Sequence, residues 1–217
     1  GVETVKIPHT VMVRMAAVLR ENNFTVCVKG RLEGKTFTCM EICSPENTGI
    51  YGCAIDIGTT TVTMVMTDLT SGKILAKGSS GNGQIRYGAD VINRIIEQGK
   101  PGGKKKLQDA IIKETLVPIM VGLCKSASLN SRSILSLCVG ANTTMNHLFV
   151  GVDAQSVRME PYIPSFFHWD GLLAGDVNLP ANPLAEVRIA PNIGSYVGGD
   201  ITAGTLASGI WDRDEMS

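Results

Sequence analysis

The run Ala54-Ile55-Asp56-Ile57-Gly58-Thr59-Thr60-Thr61 carries the strongest chemical signal in the sequence. A carboxylate at the end of a strand-like apolar run, Tyr51 to Ile57, is costly to bury without a cation or several donors. Gly58 allows a sharp turn and the approach of a phosphate. The Thr59, Thr60 and Thr61 hydroxyls add to amides that point into such a bend, making a concavity for an anion. A Mg²⁺ held through Asp56 by way of water would neutralise phosphates seated there. The plain alternative is a hairpin with a glycine turn and a polar tip. Other phosphate devices are missing: there is no G-x-x-x-x-G-K-[ST], and Gly81-x-Gly83 lacks the strand-to-helix setting of a dinucleotide fingerprint.

A second candidate is Val139-Gly140-Ala141-Asn142-Thr143-Thr144, where a buried strand ends in small polar residues and opens a helix. Free N–H groups at that helix start could face a phosphate or a catalytic water. Simple N-capping by Asn142, Thr143 or Thr144 explains the same residues, and both readings can hold. Gly198-Gly199-Asp200 precedes another helix, and Asp200 reads there as its N-cap, with Ala203, Leu206, Ala207 and Ile210 on one stripe. Lys104-Lys105-Lys106 reads as a solvated helix start. Cys39, Cys43 and Cys53 lack the tight four-ligand spacing of a zinc or iron–sulfur site. His9, His147 and His168 have no acidic or cysteine neighbour at catalytic spacing.

The elements that must position these residues follow from periodicity and turn chemistry. Residues 9–22 read as a helix, residues 24–28 and 36–43 as strands of a hairpin, and Ser44 to Gly49 as a linker and domain boundary. Tyr51–Ile57, Val62–Leu69 and Ile74–Lys77 read as three strands, followed by a Gly/Ser/Asn loop from Gly78 to Gly83. Residues 89–98 read as a helix with Asp90 and Arg94 as a surface pair. A longer helix spans about Lys104 to Ser126, with Ile112, Leu116, Ile119 and Leu123 on one face and a kink at Pro118. Ile134–Val139 is a buried strand, Asn142–Leu148 a helix start and residues 160–185 a Pro/Gly-rich connection. A strand at Val187–Ala190 and a helix at Asp200–Ile210 complete an α/β sheet unit.

The 217 residues carry twenty basic and twenty acidic side chains, 44% apolar residues and 24 glycines. That length allows one large domain or two modest ones with a sizeable core. Zero net charge argues against a general nucleic-acid or acidic-membrane binder. No apolar run reaches the roughly 18 residues of a membrane span. Six dispersed cysteines suit reduced thiols, and hence the cytoplasm, better than a disulfide framework. A first residue of Gly rather than Met is expected of a trimmed chain or a fragment.

Asp56-Ile57-Gly58-Thr59-Thr60 is similar to the first phosphate motif of the superfamily of acetate and sugar kinases, heat-shock chaperone ATPases and actin. Three further stretches sharpen the likeness: Tyr87-Gly88-Ala89-Asp90-Val91-Ile92-Asn93-Arg94-Ile95, then Asn142-Thr143-Thr144-Met145-Asn146-His147-Leu148, then Pro191-Asn192-Ile193 with Gly199-Asp200-Ile201 and Ala203-Gly204. In this order the sequence resembles the ATP-dependent reductive activators of corrinoid proteins. Ala141 stands where that pattern leads to Gly, and Asn146 where it leads to His.

The resemblance implies an α/β fold. Residues 50–217 would be the first half of an actin-like (ASKHA, ribonuclease H-like) ATPase domain, and residues 1–49 a small α+β helix–hairpin unit that ends a middle domain. It also implies ATP-driven one-electron reduction of cob(II)amide to cob(I)amide on a methyl-transfer corrinoid protein, the expected partner. Asp56 would be the catalytic and Mg²⁺-holding carboxylate. Gly58, Thr59, Thr60, Thr61, Asn142, Thr143 and Thr144 would bind the nucleotide. A 2Fe–2S ferredoxin-like domain would precede residue 1, and a second phosphate motif would follow Ser217, so this chain alone is expected to hold no cofactor tightly. Neither nucleic acid nor membrane is an expected partner, and a homodimer stays open. Two rival functions remain: a small-molecule kinase lobe of the same superfamily, or a non-catalytic module that docks a corrinoid protein.

Overall fold

The structure, a computed structural model, describes residues 1–212. It opens with β1 (Thr4–Lys6), α1 (His9–Glu21), β2 (Cys27–Glu33) and β3 (Thr36–Cys43). β3 lies between β1, to which it is parallel, and β2, to which it is antiparallel. The β2 strand starts three residues later than the alternation from Phe24 suggests. Asn23 and Phe24 adopt φ of 50° and 61°, so the chain turns there, and Phe24 is left 73% exposed. Val11, Cys39 and Ile42 form the small core under α1.

A second, five-stranded sheet follows the 44–49 connection. It contains β4 (Tyr51–Ile57), β5 (Thr61–Asp68) and β6 (Ile74–Gly81), then β7 (Ile134–Ala141) and β8 (Glu186–Ile189), in the spatial order β6-β5-β4-β7-β8. β4, β5 and β6 form an antiparallel meander, whereas β4, β7 and β8 run parallel. β6 extends through Gly78–Gly81, read from composition as a loop. Pairing with β5 (Val62 to Ser80, Thr61 to Gly81) overrides the weak strand preference of Gly and Ser. The expected α/β class, with a helix–hairpin unit ahead of it, is the fold observed.

The helices are α2 (Val91–Gln98), α3 (Gly103–Ile111), α4 (Val117–Ser126), α5 (Thr143–Val150), the single turn α6 (Gln155–Arg158) and α7 (Gly199–Ser208). The long helix expected over Lys104–Ser126 is divided by a π-helical turn at Ile112–Leu116. Pro118 has no N–H to give the Glu114 carbonyl, and the wider turn absorbs the mismatch. Ile112, Leu116 and Leu123 still face the core. That core lies on one side of the sheet, where Ile55, Ile57, Met64, Leu137 and Val139 meet Ile95, Leu107, Met120 and Phe149. No helix among the described residues is long and apolar enough to cross a membrane.

Every residue of α5 from Thr143 to Phe149 is buried. The Ser165 N–H donates to His147 Nε2 at 3.0 Å, so Nδ1 must carry the imidazole proton, which it donates to the Thr143 carbonyl at 2.7 Å. Phe166 stacks on the ring with centroids 4.5 Å apart. Burial pulls the imidazole below its ordinary value of 6.5, offset in part by the Thr143 carbonyl and by Asp153. The unfolded chain therefore takes up a proton near pH 6.5 that the folded chain refuses, and stability falls as pH drops. Thermal unfolding between pH 8 and 5 is expected to show this loss, up to about 1.4 kcal/mol per pH unit, reduced in His147→Gln. An identical pH profile in the variant would remove His147 from the account.

The two sheets are tied together by Asn182, 1% exposed, whose N–H donates to the Ile134 carbonyl of β7 at 3.0 Å and whose Nδ2 donates to the Met40 carbonyl and to Glu41 Oε2 of β3, both at 3.1 Å. Its Oδ1 accepts from the Leu184 N–H at 3.0 Å. Arg14 meets the other Glu41 oxygen at 2.7 Å. Asn182→Ala leaves these groups unpaired in the interior and is expected to cost about 2–3 kcal/mol in urea unfolding. A loss below about 0.5 kcal/mol would show that the bridge holds nothing.

Candidate functional site

β4 is buried on one face only. Cys53, Ile55 and Ile57 enter the core, and Ala54 and Asp56 are exposed on the opposite face. The expectation of a carboxylate inside a buried strand is therefore corrected: the two-residue period turns Asp56 away from the helices. Asp56 lies at the C-terminal end of β4, where its parallel neighbour β7 and, one strand further out, β8 end as well. Open α/β sheets receive their ligands at such ends.

The turn after β4 is held from beneath. Asn82 Nδ2 donates to the Gly58 carbonyl at 2.8 Å, and the Asn82 N–H donates to the Thr60 carbonyl at 2.8 Å. Between them, Arg94 Nη2 donates to the Thr59 carbonyl at 2.5 Å. Asn82 is fixed in turn because its Oδ1 caps the 3₁₀ turn Gly83–Tyr87 by accepting from the Gln84 N–H. A planar trans peptide carries its C=O and N–H in opposite directions. Three carbonyls drawn inward therefore turn the N–H groups of Thr59, Thr60 and Thr61 outward. Neither the Thr59 nor the Thr60 N–H has an acceptor among the described residues. Consecutive outward amides of this kind form an anion-binding nest.

Arg94 corrects a second expectation. It is not a surface partner of Asp90 but fully buried, one hydrogen bond below the turn. Asp90 instead caps α2, its Oδ1 accepting from the Asn93 N–H at 2.8 Å. Sequence spacing held the i,i+4 relation but no sign of what α2 would pack against.

Asn142 caps α5, accepting from the Met145 N–H at 2.9 Å, and its Nδ2 reaches Thr59 Oγ1 at 3.3 Å. The two motifs therefore meet through one side-chain contact. Thr143 is buried, and its hydroxyl donates to the Gly194 carbonyl at 2.5 Å. Thr144 is buried as well. Their side chains belong to the interior, so what this motif offers a ligand is Asn142 and the backbone of the helix start. Thr60 and Thr61 are exposed, and Gly58 and Thr59 half-buried.

α7 closes one wall of the site. Its N-cap is Gly198, not Asp200 as the composition suggests, and Asp200 is exposed. A Cβ on Gly198 would lie 2.4 Å from the Thr143 nitrogen, and one on Gly199 2.3 Å from the Ala190 carbonyl oxygen. The absence of these side chains brings the start of α7 against the start of α5. Asp200 then shares a cavity of about 300 Å³ with Asp56, Thr63, Cys138, Gly140 and Ala203. Lost hydration raises the Asp56 carboxyl above its ordinary value, and the Asp200 carboxylate adds to the rise. Sequence reasoning missed Asp200 as a site residue because a helix-opening Asp already had an ordinary explanation.

Among the described residues no three His, Cys, Asp or Glu side chains converge as a metal cage. Asp56 and Asp200 nevertheless suit Mg²⁺, which keeps most of its waters and uses one or two carboxylates together with substrate phosphate. The six cysteines are all free thiols. His168 makes a surface pair with Asp170 at 2.9 Å, a neighbour the spacing argument did not count.

A family model described as the RACo middle region matches residues 51–213, starting at the first residue of β4. The chain is 39% identical over 155 residues to the corrinoid activation enzyme RamQ of Eubacterium limosum, covering 71% of this chain and 26% of that protein. It also matches a solved structure of a reductive activator for a corrinoid, iron-sulfur protein. There the TM-score is 0.86 at 36% identity, over 98% of this chain and 34% of the other. The chain thus spans between a quarter and about a third of these relatives. The family match runs from β4 through the turn and α5 to α7, the elements that build the site, and by it the chain belongs to the RACo middle region family.

Proposed function

We propose that this chain is the part of an ATP-dependent reductive activator of corrinoid proteins that carries the first phosphate turn. The observation that carries the reading is the 58–60 turn, with three carbonyls tied inward, its amides outward and Asp56 beside it. Family membership and the names of the two relatives support the corrinoid assignment. On this reading residues 50–217 form the first half of an actin-like ATPase domain, and residues 1–49 end the domain before it.

The turn amides hold phosphate oxygens of ATP, and Asn142 fixes the turn against the start of α5. Asp56, kept on the solvent side of β4, would hold a Mg²⁺ ion by way of water. That ion, when bound, supplies charge neutralisation at the phosphates. The electron that reduces Co(II) to Co(I) on a corrinoid partner would come from a 2Fe–2S cluster that residues 1–217 do not hold, and ATP bound at the 58–60 turn would supply the driving force. The free thiols fit a reducing cytoplasm.

A second reading, a docking module without catalysis, is favoured by one observation. The outer side of α7 and the turn beyond it expose Leu206, Ile210 and Trp211 at 67%, 61% and 63%. The two readings separate in the longer protein. Asp56→Asn is expected to lower ATP-dependent reactivation of the corrinoid protein by about two orders of magnitude or more, with circular dichroism unchanged. Reactivation at the normal rate would remove Asp56 from the mechanism and favour the docking module. Calorimetry of this chain alone with ATP and Mg²⁺ is expected to show weak binding, because half of a two-lobed clasp makes only part of the contacts. Sub-micromolar affinity would overturn that.

A further inference from the structure

Arg94 is the only fully buried Arg or Lys side chain among the described residues, and every partner of its guanidinium is neutral. Nε donates to the Gly88 carbonyl at 2.9 Å, Nη1 to Gln84 Oε1 at 3.4 Å with Met145 Sδ at 3.2 Å, and Nη2 to the Thr59 carbonyl. No ion pair among the described residues includes it. The one acidic group whose charge reaches it, the helix N-cap Asp90, has both carboxylate oxygens engaged by Asn93, at 2.8 and 2.7 Å. Burial lowers the guanidinium pKa, and Asp90 offsets this only as a lesser influence.

A buried cation without a countercharge is a strongly unfavourable arrangement. Its neutral partners, three carbonyl oxygens and a thioether sulfur, engage its donors but do not cancel its charge. A merely structural tie to the Thr59 carbonyl could be made by an uncharged amide, as Asn82 makes it to Gly58 one residue earlier. What the charge adds is direction. The guanidinium pulls on the Thr59 carbonyl, and the same peptide presents the Thr60 N–H on the other side. A charged donor at one end of a hydrogen-bonded chain polarises the peptide and strengthens the donor at the far end.

We propose that Arg94 is a positioning residue whose buried charge is completed by a phosphate anion seated in the 58–60 turn, acting through the Thr59–Thr60 peptide. This rests on the phosphate-turn reading above and assigns it an electrostatic source inside the fold. The ligand class is a polyphosphate such as ATP, and the anion and guanidinium lie on opposite sides of one peptide layer.

The test compares wild type, Arg94→Gln and Arg94→Lys in the longer protein, with apo thermal unfolding and ATP titration at low and moderate salt. Arg94→Gln keeps a donor and loses the charge. It is expected to unfold no more easily than wild type without ligand while binding ATP about tenfold or more weakly. Arg94→Lys is expected to recover part of that affinity. If Arg94→Gln binds ATP as wild type does, the proposal is overturned and the phosphate-turn reading survives. If wild type itself binds no ATP, both fall. Should Arg94→Gln fail to fold, the arginine Nε–H resonance of Arg94 in wild type decides. It is expected to shift on addition of ATP, and an unmoved resonance overturns the proposal.

Discussion

A trans peptide cannot present its carbonyl and its amide hydrogen to the same side, and the site depends on that constraint. Asn82 and Arg94 never need to touch a ligand. By holding the carbonyls of Gly58, Thr59 and Thr60 from beneath, they settle where the following amides point. The donors are buried and themselves braced, Asn82 by the 3₁₀ turn it caps and Arg94 by Gly88 and Gln84. The turn is therefore shaped before anything binds, and little reorganisation is needed when an anion arrives.

The rest of the fold serves this arrangement at increasing distance. α2 and the Gly83–Tyr87 turn bring Arg94 and Asn82 under the strand ends, and α3 steadies them, with Gln84 Nε2 donating to the Leu107 carbonyl at 2.9 Å. α5 is buried along nearly its whole length, so Asn142 at its start has little freedom to move relative to Thr59. Gly198 and Gly199 let α7 approach closely enough to set Asp200 across from Asp56. Backbone proximity, rather than a long list of polar side chains, is what assembles the cavity.

Much of this was legible in the sequence where local pattern and tertiary role agree. The limits of β3 and β4 follow from alternation and flanking turn residues, and Asn142 follows from helix-capping preference. The features that were not legible share one cause: they depend on which face a neighbour covers. Asp56 looked buried because its strand is apolar, yet the helices of the core cover only the other face. Arg94 looked exposed because it is charged and one turn from an acid, yet the segment before its helix folds over it. The second half of β6, Gly78–Gly81, looked like a loop because Gly and Ser carry no side-chain signal, whereas its partner strand decided the matter.

Four residues, 58–61, separate the paired ends Ile57 and Val62, and the alternation of β4 fixes which side of the sheet each side chain takes. Surface loops usually tolerate inserted or deleted residues. Here a change of one residue would either slip β5 against β4 and turn Val62, Met64 and Met66 out of the core or detach the carbonyls from Asn82 and Arg94. The length of this turn is therefore as binding a constraint as the identity of its residues, and a new specificity engineered here would have to enter through the surrounding elements.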